Sequence, residues 1–92
     1  MTTPQFNTTA EIFTPNKCRR AKVRGMRPVL DYAERRGVER VESWPLAPVD
    51  DAPMRCKAIF KDGFFALYTL QNAAACREFH RREWPGVTIE RK

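Results

Sequence analysis

The chain has 92 residues, a formal net charge of +6 and a sequence pI near 9.7. This length favours one small domain, and a hydrophobic fraction of 42% is too high for a wholly disordered chain. No apolar run approaches the ~20 residues of a membrane-spanning helix and the N-terminus lacks a signal-peptide pattern, so we expect a cytoplasmic protein with no membrane partner. The positive charge favours acidic partners such as nucleic acid or an acidic protein surface.

Residues 1–16 are rich in Thr, Asn and Pro and predict an extended or partly mobile N-terminal arm. Pro4 and Pro15 interrupt regular structure, whereas residues 11–13 could form a short edge strand. The remaining residues, 17–92, are predicted to form a single α+β domain.

The segment 17–27 concentrates positive charge, because six of its eleven residues are Lys or Arg and none is acidic. Small and basic residues alternate over 20–24, which favours a strand with one basic face. A helix with Cys18 and Ala21 inward is the alternative, and a basic face that only keeps the protein soluble is the alternative to a functional role. The predicted electrostatic contacts are Lys17, Arg19, Arg20, Lys22, Arg24 and Arg27.

Two helices are predicted from their end signals. Pro28 suits a first helical turn and Gly37 a C-cap, which predicts a helix over 28–36. Asn72 is a favourable N-cap for a second helix that ends at Glu83. Its expected inner stripe consists of Ala75, Cys76, Phe79 and His80.

Strands are predicted over 38–44, 54–61, 64–70 and 87–91, with a proline-rich loop at 46–53. Together with the helices they predict a small α+β domain in which an antiparallel sheet of three to five strands packs with two helices. The pattern leaves open which face of the sheet the helices cover.

Asp62-Gly63 predicts a hairpin with a two-residue type I′ turn, which places Phe60 opposite Phe65. In that register the core face consists of Met54, Cys56, Ala58, Phe60, Phe65 and Leu67. The other face consists of Arg55, Lys57, Ile59, Lys61, Phe64, Ala66, Tyr68 and Leu70. On this second face Arg55, Lys57 and Lys61 surround Phe64 and Tyr68, the residue types of a platform for single-stranded nucleic acid. If a helix covers it, the same apolar residues are core and the cations reach the rim.

No catalytic or cofactor motif is present. His80 is the only histidine, Ser43 is the only serine, and the four glycines form no phosphate-binding loop, so we expect a non-enzymatic protein without a cofactor or small-molecule substrate. Cys18, Cys56 and Cys76 are odd in number and lack a C-x-x-C pair. With His80 they could formally supply four zinc ligands, but the spacing favours buried free thiols and no metal site.

The run from Gly63 to Phe79, GFFALYTLQNAAACREF, resembles the third strand and second helix of RNA-recognition motifs, with Gly63 and Phe64 at signature positions. That resemblance implies a βαββαβ order and RNA binding. In size, concentrated charge and absence of a catalytic set, the whole chain resembles the anti-CRISPR inhibitors of bacteriophages. This second resemblance implies docking on an RNA-guided CRISPR surveillance complex and a block of target DNA binding. Inhibition of such a complex is the leading functional expectation, and direct binding of single-stranded RNA or DNA is the alternative.

Overall fold

The computed structural model describes residues 9–92, whose elements follow the order ββαβββαβ. The strands are β1 (Thr9–Phe13), β2 (Arg19–Arg24), β3 (Val38–Pro45), β4 (Met54–Phe60), β5 (Phe65–Leu70) and β6 (Thr88–Arg91). The helices are α1 (Arg27–Arg36) and α2 (Ala73–Glu83). Both predicted helices are confirmed. The part of the predicted N-terminal arm that precedes Thr9 lies outside the described residues.

The six strands form one mixed sheet in the order β2-β1-β5-β4-β3-β6. The predicted antiparallel sheet of three to five strands is therefore wrong in strand number and in direction, because β6 runs parallel to β3. The cause is α2, which returns the chain to the same end of the sheet, as helical crossovers do. Residues 11–13 lie in β1 between β2 and β5 and not at an edge. Residues 19–24 form a strand, so the helical alternative is excluded.

The helix ends follow the predicted chemistry. Pro28 lies in the first turn of α1, and Gly37 ends that helix with a φ of 79° and an N–H that donates to the carbonyl of Ala33 at 2.7 Å. At α2 the side chain of Asn72 accepts a hydrogen bond from the N–H of Ala75 at 2.8 Å. This bond satisfies one of the free donors of the first turn.

The β4–β5 hairpin forms with a register one residue away from the prediction. Its loop has three residues, 61–63, closed by the Gly63 N–H, which donates to the carbonyl of Phe60, and Gly63 has a φ of 92°. Cys56 consequently lies opposite Tyr68. A shift of one residue turns every side chain of β5 to the other face of the sheet. Phe65 and Leu67 therefore leave the core, and their predicted places are taken by Ala66, Tyr68 and Leu70, all buried.

Both helices pack on the same face of the sheet. The ring of Tyr32 in α1 lies 4.7 Å from the ring of Phe60, and the ring of Phe79 in α2 lies 6.2 Å from the ring of Tyr68, centroid to centroid. Within residues 9–92 no element packs on the opposite side of the sheet, which we call the open face. Neither of these two helices has the length and apolar character needed to cross a membrane.

Candidate functional site

Strand pairing arranges the open face in rows of neighbouring side chains, since residues paired directly across strands point to the same side. The first row consists of Arg19, Phe13, Phe65, Ile59 and Arg40. The second row consists of Lys22, Glu11, Leu67, Lys57, Glu42 and Glu90. In the third row Thr69 of β5 pairs with Arg55 of β4, which pairs with Trp44 of β3, and at the β2 edge of the sheet Thr9 pairs with Arg24.

Two phenylalanines form a flat surface in the first row. Phe13 and Phe65 stack with their ring centroids 5.0 Å apart and their planes within 6° of parallel. Both side chains are partly exposed, and the ammonium group of Lys57 lies 4.5 Å from the centroid of the Phe65 ring. We call these two rings the aromatic pair. A cation over an aromatic ring, beside a second ring, can hold an anion and a planar group at the same place.

Positive charge concentrates at the β2 end of the open face. Lys22 and Arg24 are exposed, and within the described residues they and Lys57 form no ion pair with a carboxylate. Arg19 and Arg55, by contrast, share Glu11, at 3.2 Å and 3.8 Å from its carboxylate oxygens. Three cations of the open face are therefore free to meet an external anion: Lys57 and Lys22 lie in the row adjacent to the aromatic pair, and Arg24 lies one row further away.

The β3–β6 end of the open face has a different character. Arg40 lies 2.9 Å from Glu39, 3.4 Å from Glu42 and 3.8 Å from Glu90, measured between nitrogen and carboxylate oxygen. The carboxylates outnumber the arginine there, so this end carries no positive patch. The open-face cations without a carboxylate partner among the described residues therefore lie on β2, as Lys22 and Arg24, and on β4, as Lys57.

The remaining predicted site residues are dispersed. Lys17 is exposed just before β2 and Arg20 is exposed within it, Arg27 pairs with Asp31 at 3.7 Å at the start of α1, and Lys61 lies in the hairpin loop. Their positions do not place them in the rows around the aromatic pair.

Tyr68 and Phe64, the two aromatic residues predicted to contact a ligand, lie on the side of the sheet that the helices cover. Tyr68 is fully buried, and Phe64 packs against Tyr32 with centroids 5.8 Å apart, so neither ring can stack on a ligand at the open face. Sequence reasoning missed Phe13 and Phe65: the one-residue register shift turns Phe65 to the open face, and Phe13 lies beside it because β1 pairs with β5.

The covered side of the sheet holds a cluster of polar groups in the core. The sulfur atoms of Cys56 and Cys76 are 3.7 Å apart, and Cys76 Sγ lies 3.5 Å from Nδ1 of His80. Tyr68 Oη lies 2.6 Å from Nε2 of the same ring. Cys56 and Cys76 are buried as predicted, but Cys18 is exposed, so the prediction of three buried thiols is wrong for that residue.

These contacts separate the acidities of the two buried thiols. A hydrogen bond from Cys56, helped by His80 and by the hydroxyl of Ser43, lowers the pKa of Cys76. The same bond to Cys76, together with burial, raises the pKa of Cys56. Cys56 is thus the thiol that keeps its proton, and Cys76 is the sulfur that accepts hydrogen bonds.

Comparison of the chain with models of known protein families, with curated proteins and with solved structures finds no match. The candidate function is therefore inferred from the side chains themselves.

Proposed function

We propose that the protein is a non-enzymatic binding protein of the cytoplasm and that its open face binds single-stranded RNA or DNA. The observation that supports this most strongly is the aromatic pair, which lies near Lys57 and Lys22, two cations that form no ion pair with a carboxylate within residues 9–92. Stacked rings with nearby lysine and arginine are the combination that single-strand binders use.

The rings and the cations of the open face contact different parts of the nucleic acid. A base stacks on the face of Phe13 or Phe65 that the other ring leaves free, and each stacked base contributes about 1–3 kcal/mol. Lys22, Arg24 and Lys57 contact phosphates and release the counterions that screen them. A duplex hides its bases from such a surface, because they stay stacked on one another, so the unpaired strand is the ligand.

The experiment is fluorescence anisotropy with labelled single-stranded oligonucleotides over a series of salt concentrations. The logarithm of the binding constant should fall with the logarithm of the salt concentration, by about 0.7 for each phosphate contacted. Arg24→Ala should reduce this slope by about 0.7. Arg35→Ala, which removes an exposed charge from α1 on the covered side, is the matched control and should leave the slope unchanged. Absence of binding at low salt would overturn the proposal.

A second candidate is docking on a protein or ribonucleoprotein complex, as the resemblance to anti-CRISPR inhibitors implies. It is supported by the loop 46–53, where Leu46 and Val49 are 55% and 62% exposed. Exposed aliphatic side chains grouped in one loop are a feature of protein contacts. Here the tagged protein should co-purify a CRISPR surveillance complex from a lysate that contains one, and Leu46→Asp should abolish that capture. Capture that is unaffected by Leu46→Asp, or no capture, would contradict this candidate.

A further inference from the structure

Three groups that bind soft metals meet in the core on the covered side of the sheet. Cys56 comes from β4, whereas Cys76 and His80 come from α2 at a spacing of four residues, which places them on one face of the helix. All three are buried, and their potential ligand atoms lie within 4.8 Å of one another. Tertiary packing therefore assembles what the sequence spacing did not predict.

We propose that Cys56, Cys76 and His80 bind one Zn²⁺ ion. In a tetrahedral site with Zn–S near 2.3 Å and Zn–N near 2.05 Å, the two sulfurs lie about 3.75 Å apart and each lies about 3.6 Å from the nitrogen. The sulfur–sulfur distance is 3.7 Å, and Cys76 Sγ lies 3.5 Å from His80 Nδ1. Two of the distances between ligand atoms thus already have the length that a tetrahedral zinc site requires.

The histidine also has the support that zinc ligands need. In the structure Nδ1 lies 3.5 Å from the sulfur of Cys76 and donates a hydrogen bond to the carbonyl of the same residue at 2.8 Å, while Nε2 lies 2.6 Å from the hydroxyl of Tyr68. Zinc at Nδ1 replaces the hydrogen bond to the carbonyl, and the ring then carries its proton on Nε2 and donates it to Tyr68. A hydrogen bond from the second ring nitrogen fixes the orientation of metal-binding histidines in this way.

The charges of the proposed site balance. Both cysteines bind zinc as thiolates, so every thiol proton still present leaves to solvent, and the histidine binds as the neutral imidazole. The buried unit of one Zn²⁺ and two thiolates then carries no net charge, which avoids the cost of an uncompensated ion in the core.

A route to the site and room for a fourth ligand are present. A pocket of about 290 Å³ is lined by Ser43, Met54, Cys76, Arg77 and Arg91, among other residues, and Cys76 is the member of the cluster that borders it. The hydroxyl of Ser43 hydrogen-bonds to Cys76. With three protein ligands, the fourth position goes to a water molecule from this pocket, the arrangement of zinc sites that keep an open position.

The test uses Co²⁺ as a spectroscopic probe of the reduced full-length protein, followed by displacement with Zn²⁺. The expected result is one equivalent of cobalt, a thiolate-to-cobalt charge-transfer band and the visible bands of tetrahedral coordination, all lost when zinc is added. Cys56→Ser and Cys76→Ser should each reduce the absorbance of the charge-transfer band by at least half, because only one thiolate remains. Cys18→Ser, which changes an exposed cysteine outside the cluster, is the control and should bind like the parent.

A second variant and a second measurement cover the case in which a serine variant fails to fold. Tyr68→Phe keeps all three ligands and should weaken zinc binding by about 10- to 100-fold through the loss of the hydrogen bond to His80. Cadmium NMR of the unsubstituted protein should show one resonance at a shift that indicates two sulfur ligands. A protein that binds neither cobalt nor cadmium in reduced form, or whose cobalt spectrum depends on Cys18, would overturn the proposal. No nucleic acid enters these assays, so the result is independent of the function proposed for the open face.

Discussion

Phe13 and Phe65 stack across the pairing of β1 with β5, with their ring planes 6° from parallel. The two residues are 52 positions apart in the sequence and meet only because β1 lies inside the sheet beside β5. Neither ring is covered by a helix. Their pairing, next to Lys57, defines where we expect a ligand to bind.

The neighbours Phe64 and Phe65 provide a test of the open face. They lie on opposite sides of the sheet, so Phe65→Leu removes a ring from the aromatic pair and Phe64→Leu removes a ring that packs on Tyr32. Phe65→Leu should weaken single-strand binding by about 1–3 kcal/mol, measured by fluorescence anisotropy, and Phe64→Leu should leave it unchanged. Leucine preserves apolar bulk in both variants. A larger loss of affinity from Phe64→Leu than from Phe65→Leu would place the ligand on the other side of the sheet.

Glu11 is predicted to oppose nucleic-acid binding. Its carboxylate lies in the second row between Lys22 and Leu67 and neutralises Arg19 and Arg55. Glu11→Gln should strengthen binding about fivefold, because a unit charge about 4 Å from another in water is worth about 1 kcal/mol. The measurement is the same anisotropy titration at low salt. Glu34→Gln in α1 is the matched control, and a gain of equal size there would mean that only net charge matters.

The helix ends were predictable from sequence because each depends on local chemistry, such as the side chain of Asn72 or the positive φ of Gly37. The hairpin register was not. A glycine with positive φ at position 63 suits both a two-residue turn and a three-residue loop, and the two differ by one residue. Because Phe64 and Phe65 are both aromatic, the pattern around the turn could not identify which one is exposed.

The candidate sites depended on tertiary structure in a similar way. Cys56 and Cys76 are 20 residues apart, and their contact arises from the packing of α2 on β4. The one local signal was the spacing of four between Cys76 and His80. The basic strand was apparent from its composition, but Glu11 as the partner of Arg19 required knowledge of the β1–β2 register.

Tyr32 is expected to stabilise the fold through its hydroxyl, which donates a hydrogen bond to the carboxylate of Asp62. Burial, followed by this bond and the charge of Asp62, raises the pKa of Tyr32 above its ordinary value of 10.0. Tyr32→Phe should lower the free energy of unfolding by about 0.5–1.5 kcal/mol at pH 7, measured with urea.

The pH dependence of that effect has a definite sign. The stabilisation by neutral Tyr32 is fully present below pH 10, where tyrosine is protonated in both states, and is lost as the pH rises through the higher pKa of the folded state. The difference between parent and Tyr32→Phe should therefore shrink above pH 10. A constant or growing difference would contradict this origin of the stability.

Of two glycines with positive φ, Gly63 is expected to lose more stability than Gly25 when it is replaced by alanine. Gly63 has a φ of 92° and Gly25 a φ of 80°, so alanine at either position should cost about 1–2 kcal/mol of backbone strain. An added Cβ at Gly63 would also lie 3.1 Å from Pro15, whereas none of the atoms around Gly25 is within 4 Å. Gly63→Ala should therefore be more destabilising in thermal unfolding. Equal losses of stability in the two variants would mean that the Pro15 side chain moves away from the added Cβ without a measurable free-energy penalty.

The proposal that the open face binds single strands is tested most directly by NMR of the labelled protein during titration with a short single-stranded oligonucleotide. We predict that the amide shifts which change at low salt are those of β1, β2 and β5 around Phe13, Lys22 and Phe65, with saturation at one site. Shifts confined to the helices α1 and α2, or none at all, would contradict the account.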